Sequence, residues 1–220
     1  DDVASGSWKY QRIRGWLPAI AWNNKGWALS GLGKKEEAIQ AYNKAISINS
    51  KDPSSWNCKG NALADLGKHD EAVKAYGRAI ELDPKDAILW NNKGAAFYGL
   101  SRYEEALEAF NKAIEIDPQE ALIWHFKGET LKALNRTEES DSAFAKAKEL
   151  GYREEWSHEL RPPRTAHLPA IPEARRRGDQ EERLVEILEE GIDNVPQSDN
   201  SKLVNSIRNE RFSSNISYHC

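Results

Sequence analysis

The chain has 220 residues, with 31 lysines and arginines against 35 aspartates and glutamates and a formal net charge of -4. Charged residues are 30% and hydrophobic ones 39%, enough apolar mass to fold rather than stay disordered throughout, and the mild acidity argues against the basic face of a general nucleic-acid binder. No run approaches the roughly 18 apolar residues of a membrane span, and the two cysteines, Cys58 and Cys220, are no disulfide framework and read as two free thiols.

The first segment, residues 1–18, is an N-terminal extension. It carries Trp8, Tyr10, Ile13, Trp16 and Leu17, apolar residues that either cover the open edge of the first repeat or insert into a neighbouring molecule. The composition holds no methionine, and an initiator is poorly trimmed ahead of an aspartate such as Asp1, so either a processed product or a sequence lacking its true start is expected. No signal peptide is visible. The compartment stays open between the cytoplasm, which is preferred, and export in processed form.

From residue 19 the chain repeats. Trp22, Trp56, Trp90 and Trp124 each stand 34 residues after the last, and their neighbours keep step: Trp22-Asn23-Asn24-Lys25-Gly26, Trp56-Asn57-Cys58-Lys59-Gly60, Trp90-Asn91-Asn92-Lys93-Gly94 and Trp124-His125-Phe126-Lys127-Gly128. Further on come Ala38, Ala72, Ala106 and Ser140, then Tyr42, Tyr76, Phe110 and Phe144, then Ala45, Ala79, Ala113 and Ala147. The repeats are 19–52, 53–86, 87–120 and 121–154. A period of this length is the mark of a stacked array.

Each repeat reads as two helices. In the second, helix A spans about Ser54–Leu66; helix B is expected over Asp70–Leu82 there and over Glu104–Ile116 in the third. Gly33, Gly67, Ser101 and Asn135 follow the last leucine of each helix A, where a left-handed residue ends a helix. Pro84 and Pro118 stop helix B and are expected to open the next helix A. The glycines and small alanines let helices A and B approach closely beside the aromatic residue. One hairpin cannot bury its own apolar face, so neighbours must stack. The expected fold is all-α, a right-handed α-solenoid of four helix-turn-helix repeats with an inner groove lined by the A helices.

The fourth repeat departs from the rest. Lys148 replaces Ile46, Ile80 and Ile114, and Gly151-Tyr152 replaces Asp117-Pro118, so no full fifth repeat is expected. Tyr152–Leu160 reads as a short capping helix. The span 155–172 is cap and proline-rich linker, with Pro162, Pro163, Pro169 and Pro172. An amphipathic helical tail follows over 173–220, with Leu184, Ile187, Leu188, Ile192 and Val195 on one face. Folding back on the array is the preferred reading of this stripe; docking on another subunit or protein is the alternative.

The pattern W-x3-G-x2-[LF], A, [YF], A, P at this period resembles the tetratricopeptide repeat family, in the style of prokaryotic and archaeal arrays. The resemblance covers about residues 19–154 and implies a non-enzymatic scaffold that binds a protein or peptide along the concave A-helix face. By repeat position that groove offers Asn23, Trp27 and Ser30, then Asn57, Asn61 and Asp65, then Asn91, Asn92 and Tyr98, and finally His125, Glu129 and Lys132. Asparagine carries both donor and acceptor and can grip a peptide backbone; repeated asparagine is equally the family's ordinary decoration. Asn61 and Asn92 match positions of the family's clamp for a C-terminal carboxylate, but Asn57, Leu122 and Phe126 stand where its cations belong. Without those charge-assisted bonds, that function is rejected.

Nothing in the sequence calls for a cofactor or a metal. No two of the five histidines are spaced as a helical metal pair, and His69 is expected at the surface. The acidic pairs Glu36-Glu37, Glu104-Glu105 and Glu138-Glu139 fall in the first turn of each helix B, where carboxylates suit the helix dipole. Arg175-Arg176-Arg177 lies among acids and reads as a solvated helix start. No nucleic-acid partner is expected. The alternative function is self-assembly into a homo-oligomer or filament through the terminal segments.

Overall fold

The computed structural model describes residues 4–153, with side chains from Pro18 onward. The tail stripe Leu184, Ile187, Leu188, Ile192 and Val195 and the linker lie outside the described residues. Within the described residues the chain is all helix: α1 (Ala4–Gly31), α2 (Lys35–Ile48), α3 (Pro53–Asp65), α4 (His69–Leu82), α5 (Ala87–Gly99), α6 (Tyr103–Ile116), α7 (Ala121–Ala133) and α8 (Thr137–Glu149). The helices begin and end within a few residues of the positions expected from periodicity. α1 is longer than the other A helices; it starts inside the N-terminal extension and continues through Pro18.

The chain divides within α3 into two units, one ending at Ala62 and the other beginning at Leu63. In the first, α1 packs against α2. Leu29, Ala38, Ala41 and Tyr42 form a buried cluster with Cys58 and Ala62 of α3, and Trp22 and Ile39 pack against it. In the second, each helix packs on the next in sequence from α4 to α8, and Phe97, Ala106, Phe110, Ala113 and Ile123 make the central cluster. The Phe110 and Phe126 rings stack there at 5.9 Å. On α4 the buried side chains are Ala72, Ala75, Tyr76, Ala79 and Ile80, the i, i+3, i+4, i+7, i+8 spacing of a single helical face.

Close approach within the first, third and fourth hairpins rests on glycine. A Cβ on Gly26 would lie 2.6 Å from Cε1 of Tyr42, one on Gly94 2.8 Å from Cε1 of Phe110, and one on Gly128 2.6 Å from Cε1 of Phe144. All are well inside van der Waals contact. Ser140, standing where the other repeats have alanine, is buried and donates its hydroxyl to the Gly128 carbonyl at 2.9 Å, so its polar atom is satisfied across the hairpin. Lys148, at the position of Ile46, Ile80 and Ile114, is exposed.

The turns between helices A and B share one geometry. Gly33, Gly67, Ser101 and Asn135 have φ of 77°, 73°, 58° and 58°. The amide after each bonds back to a carbonyl of the last helical turn, as in Lys34 N to Leu29 O at 2.9 Å and Arg102 N to Phe97 O at 3.0 Å, a left-handed helix ending. Ser101 adopts it without glycine's freedom.

The junctions from helix B to the next helix A differ from expectation at the prolines. Pro53 opens α3, but Pro84 and Pro118 sit in the turns after α4 and α6 rather than in the following helix. Side-chain caps start those helices: Asp86 accepts from the Ile88 amide at 2.8 Å and Glu120 from that of Leu122 at 3.3 Å. The proline carbonyls accept instead from tryptophan, Trp90 Nε1 to Pro84 O at 3.1 Å and Trp124 Nε1 to Pro118 O at 2.9 Å. Trp56 bonds to Ser50 O in the same way at 3.1 Å. From the second repeat onward, the repeated tryptophan therefore ties helix A to the turn that precedes it.

Three further expectations change. His69 is half-buried rather than a surface residue, its ring against Gly99 and its Nδ1 enclosed without a hydrogen-bond partner. Cys58 is buried and disulfide-bonded, not a free thiol; Cys220 lies outside the described residues. Tyr152 and Arg153, the first residues of the expected capping helix, are not helical, because the left-handed Gly151 (φ 94°) turns the chain after α8; the rest of that segment lies outside the described residues.

Two stability predictions arise from these contacts. Gly94→Leu is expected to destabilise by about 1–3 kcal/mol, as overpacking does, because Phe110 fills the space a side chain would need; an unchanged thermal midpoint would contradict the close-approach reading. Ser101→Gly is expected to stabilise by up to about 1 kcal/mol: left-handed backbone costs an ordinary residue roughly 1–2 kcal/mol, and glycine's greater freedom when unfolded offsets part of that gain. A lower midpoint in denaturant titration would show that the serine is not strained.

Candidate functional site

Residues four and seven apart lie on one face of a helix, and the A helices present theirs in register with the repeat. In the first unit that face carries Asn23 and Trp27 on α1 and Asn57 and Asn61 on α3. Asn57 is buried. Asn23 is half-buried, and its Oδ1 is enclosed with no hydrogen-bond partner. An unpaired buried carbonyl of this kind costs the desolvation of its lone pairs.

In the second unit the face carries Asn91, Asn92 and Tyr98 on α5 and His125, Glu129 and Lys132 on α7. Asn91 Nδ2 donates to Asn92 Oδ1 at 3.4 Å, while Asn91 Oδ1 is enclosed without a partner. Asn91 thus repeats, two repeats on, the condition of Asn23. Ile88 begins this face and is 56% exposed, a large apolar side chain left in water.

Tyr98 and Glu129 come together. Burial and then the Glu129 carboxylate push the Tyr98 phenol pKa above its ordinary value, with Tyr103 a third contributor. The Tyr98 ring meets that of Tyr103 edge-on at 5.3 Å. His125, at the position of the asparagines in the earlier repeats, is engaged with aromatic rings. It stacks on Tyr152 at 4.1 Å with an interplanar angle of 16° and lies 5.5 Å from the Phe144 ring.

A second feature was not foreseen from the sequence. In every repeat the lysine three residues after the tryptophan lies over its ring: Lys25 over Trp22 at 4.9 Å, Lys59 over Trp56 at 5.5 Å, Lys93 over Trp90 at 5.5 Å and Lys127 over Trp124 at 5.2 Å. These cation–π pairs explain the recurring W-x2-K. The pairs of the third and fourth repeats line open troughs of about 580 and 380 Å³ between helices A and B. Trp90, Lys93, Phe97 and Lys112 line the first and Trp124, Lys127, Leu131 and Glu139 the second. Burial lowers the Lys127 ammonium pKa, against an opposing pull from Glu139. The repeated lysine was the signal in the sequence, legible once the helix places it one turn beyond the tryptophan.

The acidic pairs stand in the first turns of α2, α6 and α8, as their positions require. Arg102 binds Glu105 through two hydrogen bonds, and Arg136 binds Glu139 at 2.7 and 2.6 Å. The guanidinium in each case holds the glutamate carboxyl below the ordinary carboxylate range. Among the described residues no group of three His, Cys, Asp or Glu side chains converges as metal ligands do, and no helix is long and apolar enough to cross a membrane.

Tetratricopeptide repeat profiles match residues 19–52, 41–74, 59–121 and 121–150. No curated protein is significantly similar to the chain. Among solved structures, a crystal structure of MamA is 21% identical, with 64% of this chain and 81% of that one covered and a TM-score of 0.58. A second MamA crystal structure, also 21% identical, covers 70% of this chain and 80% of its own at 0.58. MamA of Desulfovibrio magneticus RS-1, from residue 41 onward, is 22% identical and covers 62% and 74% at 0.55. At that identity the likeness is one of fold, an α-solenoid of stacked helix pairs. With these profiles together spanning residues 19–150, the chain belongs to the tetratricopeptide repeat family.

Proposed function

We propose that this protein is a non-enzymatic scaffold that binds a peptide or helix of another protein along the inner face of its A helices. The observation that carries the reading is the pair Asn23 and Asn91. They occupy the same position in the first and third repeats, and each holds an enclosed side-chain oxygen with no partner. A buried acceptor left unpaired is uncommon in a folded protein, and a small turn of the half-buried amide would offer it to an N–H of a bound chain. Ile88 and Tyr98 on the same face add exposed apolar area of the kind that anchors a partner. Asn57, Asn61, Asn92 and Trp27 extend the proposed contact along the repeats, with Glu129, Lys132 and His125 at the fourth.

A second reading, self-assembly through the terminal segments, draws on one feature. α1 runs for 28 residues against 13 for α5 and α7, so much of it precedes the first repeat. The tail stripe Leu184, Ile187, Leu188, Ile192 and Val195 is the other terminal element this reading would use.

The groove reading is tested with peptides selected on the purified chain from a random library. Asn91→Ala is expected to weaken them about fivefold to tenfold, the worth of one hydrogen bond of about 1 kcal/mol, with melting little changed. Selected peptides that bind Asn23→Ala and Asn91→Ala as tightly as the native chain would place the site elsewhere. Ending the chain after Leu160 separates the fates of the tail. Light scattering should give monomers from a larger native assembly if the terminal segments join subunits. An unchanged mass with earlier melting is expected if the tail caps its own array, and that result would remove the tail from the assembly reading.

A further inference from the structure

Helix α7 carries a half-buried carboxylate, Glu129, that has no ion pair. The other half-buried glutamate among the described residues of the second unit, Glu105, and several exposed ones are paired locally, and those without an ion pair, such as Glu71, Glu104 and Glu108, are exposed. Glu81 meets Arg78 at 2.6 Å, Glu115 meets Lys112 at 2.7 Å, Glu139 meets Arg136 at 2.6 Å and Glu149 meets Lys146 at 2.9 Å, while Glu105 is held by Arg102. Each of these pairs joins residues three apart on the exposed side of a B helix. Glu129 has Lys132 at the same spacing, yet the two form no ion pair, and no other cation among the described residues comes within ion-pair distance of it.

Across from Glu129, on α5 and the start of α6, stand two tyrosines. Tyr98 is 37% exposed, and its ring meets Tyr103 at 5.3 Å with an interplanar angle of 62°. In this edge-to-face arrangement one ring's edge meets one face of the other, and the remaining faces are not covered by the pair. The Glu129 carboxylate acts on the Tyr98 phenol strongly enough to raise its pKa, second only to burial. Arg102, beside Tyr103 in sequence, is committed elsewhere. It binds Glu105, lies over the Phe97 ring at 4.7 Å and reaches Asp70 at 4.0 Å.

We propose that Tyr98, Tyr103 and Glu129 form a receptor for an arginine side chain of the bound peptide, an inference that rests on the groove reading above. A guanidinium is planar and weakly hydrated. It stacks on an aromatic face while its N–H fork gives two parallel hydrogen bonds to one carboxylate. A tyrosine face and an uncompensated carboxylate on adjoining helices offer both contacts together, and the charge is complementary. Lysine satisfies the carboxylate but not the planar stack, so arginine is the preferred occupant. The receptor gives the groove a register: one basic residue of the partner at the third and fourth repeats, flanked by backbone held at Asn91 and Asn92.

The test uses N-acetyl-arginine methylamide and its neutral citrulline counterpart, each titrated into the full chain carrying carbon-13 tyrosine and followed by NMR. The arginine probe is expected to shift the Tyr98 and Tyr103 ring signals saturably, and the citrulline probe is not. Glu129→Gln should weaken the arginine response by roughly tenfold, a loss of about 1.4 kcal/mol, without moving the melting midpoint. Tyr98→Phe, which keeps the ring, should retain most of the response. Equal titration by the two probes, or an arginine response indifferent to Glu129→Gln, overturns the receptor. Library peptides that lose affinity in Asn91→Ala but are indifferent to Glu129→Gln leave the groove reading standing and remove this inference alone. Peptides indifferent to both changes remove both.

Discussion

The array depends on one steric constraint, the contact between a glycine on helix A and an aromatic ring on the helix B that follows, seen in the first, third and fourth repeats. At Gly26, Gly94 and Gly128 the ring of Tyr42, Phe110 or Phe144 occupies the place a Cβ would take. With the helices this close, the small residues Ala38, Ala106 and Ser140 are fully buried beside them, and dispersion across the hairpin reaches interior density. The hairpin so formed still shows an apolar flank. Stacking against the next helix covers it, as Phe97, Phe110 and Ile123 do from three successive helices. Each repeat therefore needs its neighbour, the energetic signature of a quasi-linear protein.

Around that contact the turns carry their own local solutions. Left-handed residues end every helix A, and the tryptophan indole fastens every helix A from the second repeat onward to the turn before it. The lysine over each tryptophan buries its aliphatic stem while keeping its charge near water. Acids in the first turns of the B helices complement the helix dipole. Where an arginine precedes them, as at Arg102 and Arg136, the pair is bidentate and exposed. Such surface pairs add little stability; their larger effect is to neutralise charge on the outside of the array.

A few polar groups on the A helices have no partner among the described residues. The enclosed oxygens of Asn23 and Asn91, the exposed Ile88 and the unpaired Glu129 all sit on A helices. On the B helices several lysines and arginines pair with glutamates three positions away. The proposed recognition surface follows the A-helix groups rather than the troughs beside Trp90 and Trp124, where lysine and tryptophan already satisfy one another. Tyr98 and Glu129 stand on A helices of successive repeats that touch one another.

The repeat, the helix boundaries and the close-packed glycines were legible in the sequence because each is set by local chemistry repeated four times. A 34-residue period left no other reading of Trp22, Trp56, Trp90 and Trp124. Even the left-handed turn at Ser101 could be placed by register, although serine gives no signal of its own. What local pattern could not supply was the outcome of contacts between segments distant in sequence. Pro84 and Pro118 were expected inside helices but lie in turns, because Asp86 and Glu120 cap the next helix and the tryptophan takes the proline carbonyl. His69 was expected in water but packs on Gly99. His125 was read as a groove residue, and Tyr152 stacks on it. Sequence determined the repeating unit, since its helices, caps and glycine contacts are short-range; only the tertiary structure decided which of its polar groups remain unpaired, since pairing depends on what the neighbouring helix brings within reach.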